Sequence, residues 1–213
     1  QTLFGVKRIK EMQINRVPIF TSEIFTFNLP NFDDWKKQIK QIVLVEDNKI
    51  HQQNTSPLNK CNVVANRTAW NSHLRYNCLY LLCEEIKKYL NAFIYQEGYD
   101  IPSLEVENCW INWYNKDNYS QPHNHGSCLS VVIFVDVENT DAKFFFHADN
   151  NFVLVKKNDA ESNFNNVKQV TAKDGAVIFF DGSLQHSVSA NKSQNTRITV
   201  AINYDVDYKE ERK

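Results

Sequence analysis

The spacing of apolar residues along the chain changes from a helical period to a period of two near residue 103. Upstream, the segment NFDDWKKQIKQIVLV has its apolar residues at helical spacing and predicts a helix that Asp33 or Asp34 caps. The segment RVPIFTSEIFTFNL before it alternates apolar and polar residues and predicts a strand. Residues 47–70 are polar and predict a loop.

A longer helix is predicted over residues 73–97, in the segment SHLRYNCLYLLCEEIKKYLNAFIYQEG, and Gly98 is its stop. A helix with a single apolar face is most simply explained by packing on a sheet. The face consists of Leu79, Leu82, Ile86, Leu90 and Phe93, and it is widened by Leu81, Tyr89 and Ile94.

Downstream of residue 103, eight short segments are rich in β-branched and aromatic residues and are separated by turn-forming residues. They predict seven or eight strands packed as a jelly roll or barrel. The segments are SLEVENCWINWYN, CLSVVIFVDV, AKFFFHA, NFVLVKK, NVKQVTA, GAVIFFD, HSVSA and TRITVAINYDV. We therefore expect one domain, in which a mixed strand and helix part (residues 1–102) packs on a β core (residues 103–207).

Composition narrows the class of protein. The 213 residues carry a net charge of -1, which gives no indication of nucleic-acid or membrane binding. Apolar runs fall short of the roughly 20 residues that span a bilayer. The five cysteines are scattered without a C-x-x-C pair, which favours reduced thiols and a cytoplasmic location.

Three histidines are candidate metal ligands. His123 and His125 stand one residue apart before the run CLSVVIFV, and in an extended strand they would project to the same side. His186 follows the segment GAVIFFD and a turn, and strands far apart in sequence can face each other in a barrel. Three imidazoles at a barrel mouth would leave coordination positions for substrate or oxygen. The other histidines, His51, His73 and His147, are interpreted as structural.

The surroundings of these histidines resemble the Fe(II)- and 2-oxoglutarate-dependent oxygenases, in particular a group of putative oxygenases related to prolyl hydroxylases. PHNHG stands where that superfamily has its H-x-D/E motif, and DGAVIFFDGSLQHSV resembles the segment with the distal histidine. TRITVAINYD then places Arg197 eleven residues after His186. The resemblance follows residues 108–204, and NRTAWNS (residues 66–72) is similar to the N-terminal region of the same group.

The resemblance implies a mainly β fold with flanking helices and a double-stranded β-helix core. It implies Fe(II) bound by His123, His125 and His186, with 2-oxoglutarate and O₂ as co-substrates. The activity would be a dioxygenase, most simply a hydroxylase, that couples decarboxylation of 2-oxoglutarate to oxidation of a peptide, amino acid or small molecule.

The resemblance also implies which residues hold the co-substrate. Arg197, with Thr199 on the same side of its strand, would anchor 2-oxoglutarate, because a guanidinium binds a carboxylate through two parallel donors. A tyrosine that assists in related hydroxylases corresponds to Phe134, which has no hydroxyl group. Ser130, Tyr114 or Asn112 could take that place.

Alternatives stay open at this point. His125 replaces the usual carboxylate ligand. Within the oxygenase hypothesis, His125 could therefore lie behind the ligands or face the substrate, with only His123 and His186 binding the metal. A cupin-type metal-binding barrel would also contain H-x-H, but cupins have a Glu where Leu129 and Ser130 stand. A non-catalytic binding or assembly module is the third reading. The prime substrate and the oligomeric state, including a homodimer, are left undetermined.

Overall fold

The computed structural model describes residues 22–52, 63–99, 103–148 and 167–206. Two antiparallel sheets and two helices build this part of the chain, which confirms the prediction of a mainly β fold with flanking helices. The helices are α1 (Phe32–Gln52) and α2 (Asn77–Glu97), with a 3₁₀ turn at Ser72–Leu74. The strands are β1 (Ile24–Asn28), β2 (Val63–Val64), β3 (Asn66–Arg67), β4 (Leu104–Tyr114), β5 (Tyr119–His123), β6 (Leu129–Asp136), β7 (Phe144–His147), β8 (Val167–Val170), β9 (Ala176–Asp181), β10 (His186–Val188) and β11 (Arg197–Val206).

The strand order shows how the N-terminal part joins the core. The six-stranded major sheet runs β1-β9-β6-β11-β4-β3, and the five-stranded minor sheet runs β2-β5-β10-β7-β8. Three strands that precede residue 103 therefore extend the two sheets by hydrogen bonding, in addition to the helices that this part contributes.

Alternation along the strands gives the major sheet two faces of different character. The outer face packs against α1 and α2 in one apolar cluster, which includes Ile111, Val200 and Ile202. The Tyr204 hydroxyl donates to the Cys83 carbonyl of α2 at 2.7 Å on this side. The inner face turns toward the minor sheet, and part of it forms a second, smaller apolar cluster around Phe134 and Phe180.

Charged groups fix α1 to the end of the sheet. The Lys36 ammonium lies 2.6 Å from the Asp174 carboxylate, and a second Asp174 oxygen accepts the Val137 backbone N–H at 2.7 Å. Lys40 lies 2.7 Å from Asp136. Two successive turns of α1 therefore each form an ion pair with a carboxylate at this end of the sheet. These pairs set the position of α1 over the outer face.

The predicted helices differ from the observed ones in their bounds. α1 continues to Gln52, well into the stretch predicted as a loop. α2 begins at Asn77 rather than near residue 73, because the 3₁₀ turn precedes it and Tyr76 is extended (φ -114°). It ends at Gly98 as predicted, with φ 72° in the left-handed region. Leu81 was assigned wrongly to the apolar face, since its side chain is 49% exposed.

The predicted strands from residue 103 onward are present wherever the structure describes them. The segment NFVLVKK (residues 151–157), the start of the first predicted strand (residues 16–21), Cys61 and the side chain of His51 lie outside the described residues. β2, β3 and β5 do not correspond to any of the predicted strand segments, although an extended conformation was expected at His123. Neither described helix combines the length and apolar character that crossing a membrane requires.

Candidate active site

A cavity of about 210 Å³ lies between the two sheets, and all three predicted metal ligands line it. His123 ends β5 and His186 begins β10, and these two residues are direct partners in the antiparallel ladder. His125 belongs to the loop after β5, where its backbone N–H donates to the Gly182 carbonyl at 2.8 Å. One ligand atom of each of the three histidines lies within 4.8 Å of the other two.

The sequence correctly indicated that these three histidines come together, but the predicted reason is wrong in part. His123 and His125 were expected to share one side of a continuous strand, but β5 ends at His123. Pairing of β5 with β10 brings His123 and His186 together, with ring centroids 4.4 Å apart. The loop then returns His125 to a ring distance of 4.9 Å from His186.

Each of the three candidate ligands has its Nδ1 within hydrogen-bond distance of an oxygen acceptor. His123 Nδ1 lies 2.8 Å from the Gln121 carbonyl, and His186 Nδ1 lies 3.0 Å from the Leu184 carbonyl. His125 Nδ1 lies 2.9 Å from Asn203 Oδ1. An Nδ1–H that donates to an oxygen fixes the tautomer and leaves the Nε2 lone pair for a metal. Each of the three imidazoles therefore has its Nε2 available to bind a metal.

Asn203 is a functional candidate that the sequence reasoning missed. Its Oδ1 accepts the Ser130 hydroxyl at 3.0 Å as well as facing His125, and Asn203 and Ser130 are partners across β11 and β6. Since Asn203 lies six positions after Arg197 on β11, an even spacing, both side chains project to the inner face. That parity is the signal from which Asn203 could have been found.

Burial keeps the three imidazoles neutral, which is the form that binds a metal. Burial, reinforced by the neighbouring His123 ring, lowers the pKa of His186 to about 3. Burial also lowers the pKa of His123 and of His125, although the hydrogen bond to Asn203 opposes this for His125.

Gly182 joins the two segments that carry the ligands. Its N–H donates to the Cys128 carbonyl at 2.7 Å, while its carbonyl accepts the His125 N–H. A Cβ at this position would lie 2.5 Å from Cys128 Sγ and 2.8 Å from the Cys128 carbonyl oxygen. Only glycine allows this close approach, which locks the His125 loop onto the turn before His186.

Arg197 lies on the inner face of β11, with 1% of its surface exposed. Its Nη1 donates to the Ala142 carbonyl at 3.0 Å, but Nε and Nη2 have no hydrogen-bond partner. Burial lowers the pKa of the guanidinium to about 10, so the group is still a cation at neutral pH. A buried cation with two unused donors is costly unless an anion binds it.

The other predicted co-substrate residues fall into two groups. Thr199, Asn112 and Tyr114 line the cavity, and Tyr114 is the ladder partner of Arg197. The Asn112 side chain is buried and its Oδ1 has no hydrogen-bond partner. Ser130 is not among the cavity-lining residues, and its hydroxyl is instead engaged with Asn203 beside His125.

Two of the three histidines interpreted as structural have described side chains, and their surroundings differ. His73 is buried, and its Nδ1 has no hydrogen-bond partner. His147 has its Nε2 2.7 Å from the Ser187 hydroxyl on the neighbouring strand. Neither residue lines the cavity.

The residues present fit both Fe(II) and 2-oxoglutarate. Three neutral imidazole nitrogens at one end of the cavity suit a first-row divalent metal and leave coordination positions open. The unpaired guanidinium donors of Arg197 suit a carboxylate. Arg197 is not itself among the lining residues, but its ladder partner Tyr114 and its strand neighbour Thr199 are. The chemistry of the donors thus matches a metal ion and a dicarboxylate.

Residues 108–203 match the family model described as putative 2OG-Fe(II) oxygenase. Over this segment the chain is similar to the 2OG-Fe(II) oxygenases. It contains the three histidines, Asn203 and Arg197, and it agrees with the segment over which the sequence resembles the superfamily. No curated protein sequence matches the chain.

Solved structures of several 2OG-Fe(II) oxygenases share the fold at low sequence identity. The viral collagen prolyl hydroxylase of Paramecium bursaria Chlorella virus-1, solved with 2-oxoglutarate, has a TM-score of 0.55 and 12% identity, covering 86% of this chain and 96% of its own. A Pseudomonas putida prolyl-4-hydroxylase has a TM-score of 0.57 and 10% identity, covering 88% and 94%. HygX of Streptomyces hygroscopicus, solved with nickel, 2-oxoglutarate and hygromycin B, has a TM-score of 0.56 and 10% identity, covering 88% and 84%. The double-stranded β-helix predicted from the sequence is therefore the observed fold.

Proposed function

We propose that the protein is an Fe(II)- and 2-oxoglutarate-dependent dioxygenase that hydroxylates a C–H bond of its substrate. The observation that carries the proposal is a cavity lined by three candidate metal ligands, with a candidate anion site beside it. Three histidines with their Nδ1 atoms engaged face the cavity, and a buried arginine with two unpaired donors lies next to Tyr114 and Thr199 of its lining. Bound iron would supply the activation of O₂ and couple it to the decarboxylation of 2-oxoglutarate.

Each group of the chain has a distinct part in this proposal. His123, His125 and His186 hold the metal through Nε2, while Gln121, Asn203 and Leu184 supply the acceptors that orient the rings. Arg197 binds the distal carboxylate of 2-oxoglutarate, and Thr199 donates its hydroxyl to the same end of the co-substrate. Phe144 and Val188, which line the cavity wall, limit the access of water to the bound co-substrate.

Replacement of a carboxylate ligand by His125 has an electrostatic consequence. Three neutral ligands leave the charge of Fe(II) uncompensated, and described carboxylates do not join the cluster of possible ligands. The dianionic co-substrate would supply the missing negative charge. We therefore expect 2-oxoglutarate to tighten metal binding, and by linkage the metal to tighten 2-oxoglutarate binding by the same factor.

The test is formation of succinate from 2-oxoglutarate by the purified protein with Fe(II) and O₂. Wild type should bind one divalent metal and release succinate, whereas His186→Ala should do neither. Ser187→Ala, which changes the next residue on β10 and removes its contact with His147, is the matched control and should retain both properties. Wild-type protein that binds neither the metal nor 2-oxoglutarate would refute the proposal.

The fold alone does not indicate the class of prime substrate, because the named substrates of the neighbouring structures differ. Two of the solved neighbours are named as prolyl hydroxylases, and a third was solved with hygromycin B. A peptide, an amino acid and a small molecule are therefore all compatible with this fold.

We further propose that the protein works in the cytoplasm. The four described cysteines are free thiols. Cys83 and Cys109 are buried near each other, and the Cys83 thiol raises the pKa of Cys109. Unpaired thiols in contact are typical of a reducing compartment. Thiol titration of protein purified without reductant checks this, and a Cys83–Cys109 disulfide would contradict it.

A further inference from the structure

The cavity has a wall to which neither the metal site nor the co-substrate anchor assigns a role. Trp110 and Tyr114 both point inward from β4, and four residues of strand, or about 13 Å, separate them. Tyr114 lies at the Arg197 end, whereas the Trp110 ring lies 5.7 Å from the His125 ring. Trp110 therefore marks the end of the cavity that is next to the metal site.

Two further side chains continue this wall away from His125. The Trp70 ring lies 4.5 Å from the Trp110 ring at a steep angle, and the Arg67 guanidinium lies 4.1 Å from the centre of the Trp70 ring. All three residues line the cavity, yet Trp70 is 46% exposed. An exposed indole beside a cavity offers a rigid apolar surface on which part of a ligand can pack.

The Arg67 guanidinium is held in place with its charge available. Stacking on an indole fixes the plane of a guanidinium but leaves the N–H groups at its edge free for in-plane hydrogen bonds. Among the described residues, carboxylates form no ion pair with Arg67. An oriented cation beside an apolar wall is suited to a carboxylate that is attached to an apolar group.

Asn112 adds an independent observation on the same wall. It is the direct ladder partner of Arg67, so the two side chains project to the same side of the sheet. Asn112 is 7% exposed, and its Oδ1 is buried without a hydrogen-bond partner. An acceptor in that position needs an N–H or O–H donor, and 2-oxoglutarate carries none at neutral pH.

We propose that Arg67, Trp70, Trp110 and Asn112 bind the prime substrate, and that this substrate has the chemistry of an acylated amino acid. Its carboxylate binds Arg67, its apolar group packs on the two tryptophans, and an N–H donates to Asn112. The apolar group then lies next to His125, where the C–H bond must be placed for oxidation. This inference rests on the proposed function and names the substrate class for it.

The experiment uses probes that differ only in the carboxylate. The first set represents a free small molecule: N-acetyl-leucine and N-acetyl-phenylalanine are each compared with the corresponding carboxamide. The blocked dipeptides acetyl-Leu-Glu-amide and acetyl-Leu-Gln-amide represent an acidic residue within a peptide. Binding is measured by calorimetry and by tryptophan fluorescence, both without metal and with Fe(II) and 2-oxoglutarate under anaerobic conditions.

Wild type should bind at least one carboxylate probe tenfold or more tightly than its amide, and the pair that shows this preference identifies the source of the carboxylate. Arg67→Gln should abolish the preference without changing the affinity for 2-oxoglutarate. Trp70→Ala should weaken both members of the pair. Arg75→Gln is the matched control, because Arg75 also stacks on an aromatic ring, that of Tyr76, but does not line the cavity.

Three results would overturn the inference: no carboxylate probe binds wild type, the preference survives in Arg67→Gln, or Arg67→Gln weakens 2-oxoglutarate as much as the probe. Failure of the proposed function would give a different result. In that case 2-oxoglutarate would not bind, while the preference for carboxylates would still be measurable in the metal-free protein.

Discussion

The two faces of the major sheet are made by the same strands but differ in how their polar groups are satisfied. On the outer face, Ile198, Val200 and Ile202 of β11 pack in the apolar cluster under the helices, and the Tyr204 hydroxyl has its hydrogen bond. On the inner face, alternate residues of the same strand include Arg197, whose Nε and Nη2 have no partner. The comparison shows that one strand can serve stability on one side and ligand binding on the other.

Loss of a metal ligand should have the largest effect and should act on the inner face alone. His123→Ala, His125→Ala and His186→Ala each remove one of three ligands and should each weaken metal binding by more than about a hundredfold. Stability of the metal-free protein should change little by comparison. Metal titration together with thermal unfolding checks both. Wild-type metal affinity in His125→Ala would refute the three-histidine site and leave His123 and His186 as the protein ligands.

Arg197 offers the next sharpest test, because binding and stability should move in opposite directions. Arg197→Met should weaken 2-oxoglutarate more than a hundredfold, as expected from about 3–5 kcal/mol for a broken buried charge pair. Without the co-substrate, the same variant should be as stable as wild type or more stable, since it removes unpaired buried donors. Calorimetry and denaturant unfolding measure the two effects, and an unchanged 2-oxoglutarate affinity would remove Arg197 from the site.

Ile202 on the outer face should show the reverse behaviour. Its side chain has 0% exposure, and Ile202→Ala should cost about 2–5 kcal/mol of unfolding free energy by leaving a cavity under the helices. The affinity of the folded variant for metal and 2-oxoglutarate should stay near that of wild type. A large loss of 2-oxoglutarate affinity at temperatures where the variant is folded would show that the two faces are coupled.

Asn203 tests whether orientation of a ligand can be separated from ligation. Asn203→Ala removes the acceptor of the His125 Nδ1–H and should weaken metal binding by about 10–100-fold. Asn203→Asp keeps an acceptor at that position and should recover most of the affinity. Equal losses in the two variants would mean that the packing of Asn203, and not its hydrogen bond, is what matters.

The smallest expected effect concerns the ion pair that positions α1. Burial would raise the pKa of Asp174, but the hydrogen bonds from Lys36 and the backbone lower it overall. A folded pKa below the unfolded value of about 3.9 stabilises the protein above that pH, and the stabilisation is lost as the pH falls through the folded pKa. Asp174→Asn should therefore cost about 1 kcal/mol at pH 7 and less near pH 3, as measured by urea unfolding.

Part of this architecture could be predicted from the sequence because buried strands have a strong local pattern. β4, β6, β9 and β11 alternate or run continuously apolar, and all four were predicted. β5 was missed because its sequence YSQPH is mostly polar and contains a proline, and its strand form depends on pairing with β2 and β10. The same holds for β2 and β3, two-residue strands that are defined by their partners alone.

The candidate site shows the same division between local and non-local information. The histidines and Arg197 were identified from their spacing and from the resemblance to a family. The contact of His125 with Asn203 joins residues 78 positions apart, and no local pattern predicts it. The unpaired donors of Arg197 likewise depend on the placement of Ala142 and Phe134 around the guanidinium.

The hydrogen bonds of Gly182 to the segments that carry the histidines also have a consequence for the order of folding. The turn that Gly182 fixes follows β9, and β9 pairs with β1 through partners as distant as Ile24 and Phe180. Pairings of such sequence separation form late and slowly, because the chain must lose much of its freedom before they stabilise it. The three histidines should therefore come together only in the last stage of folding. A bound metal would then stabilise the folded protein, and it would not be needed to start folding.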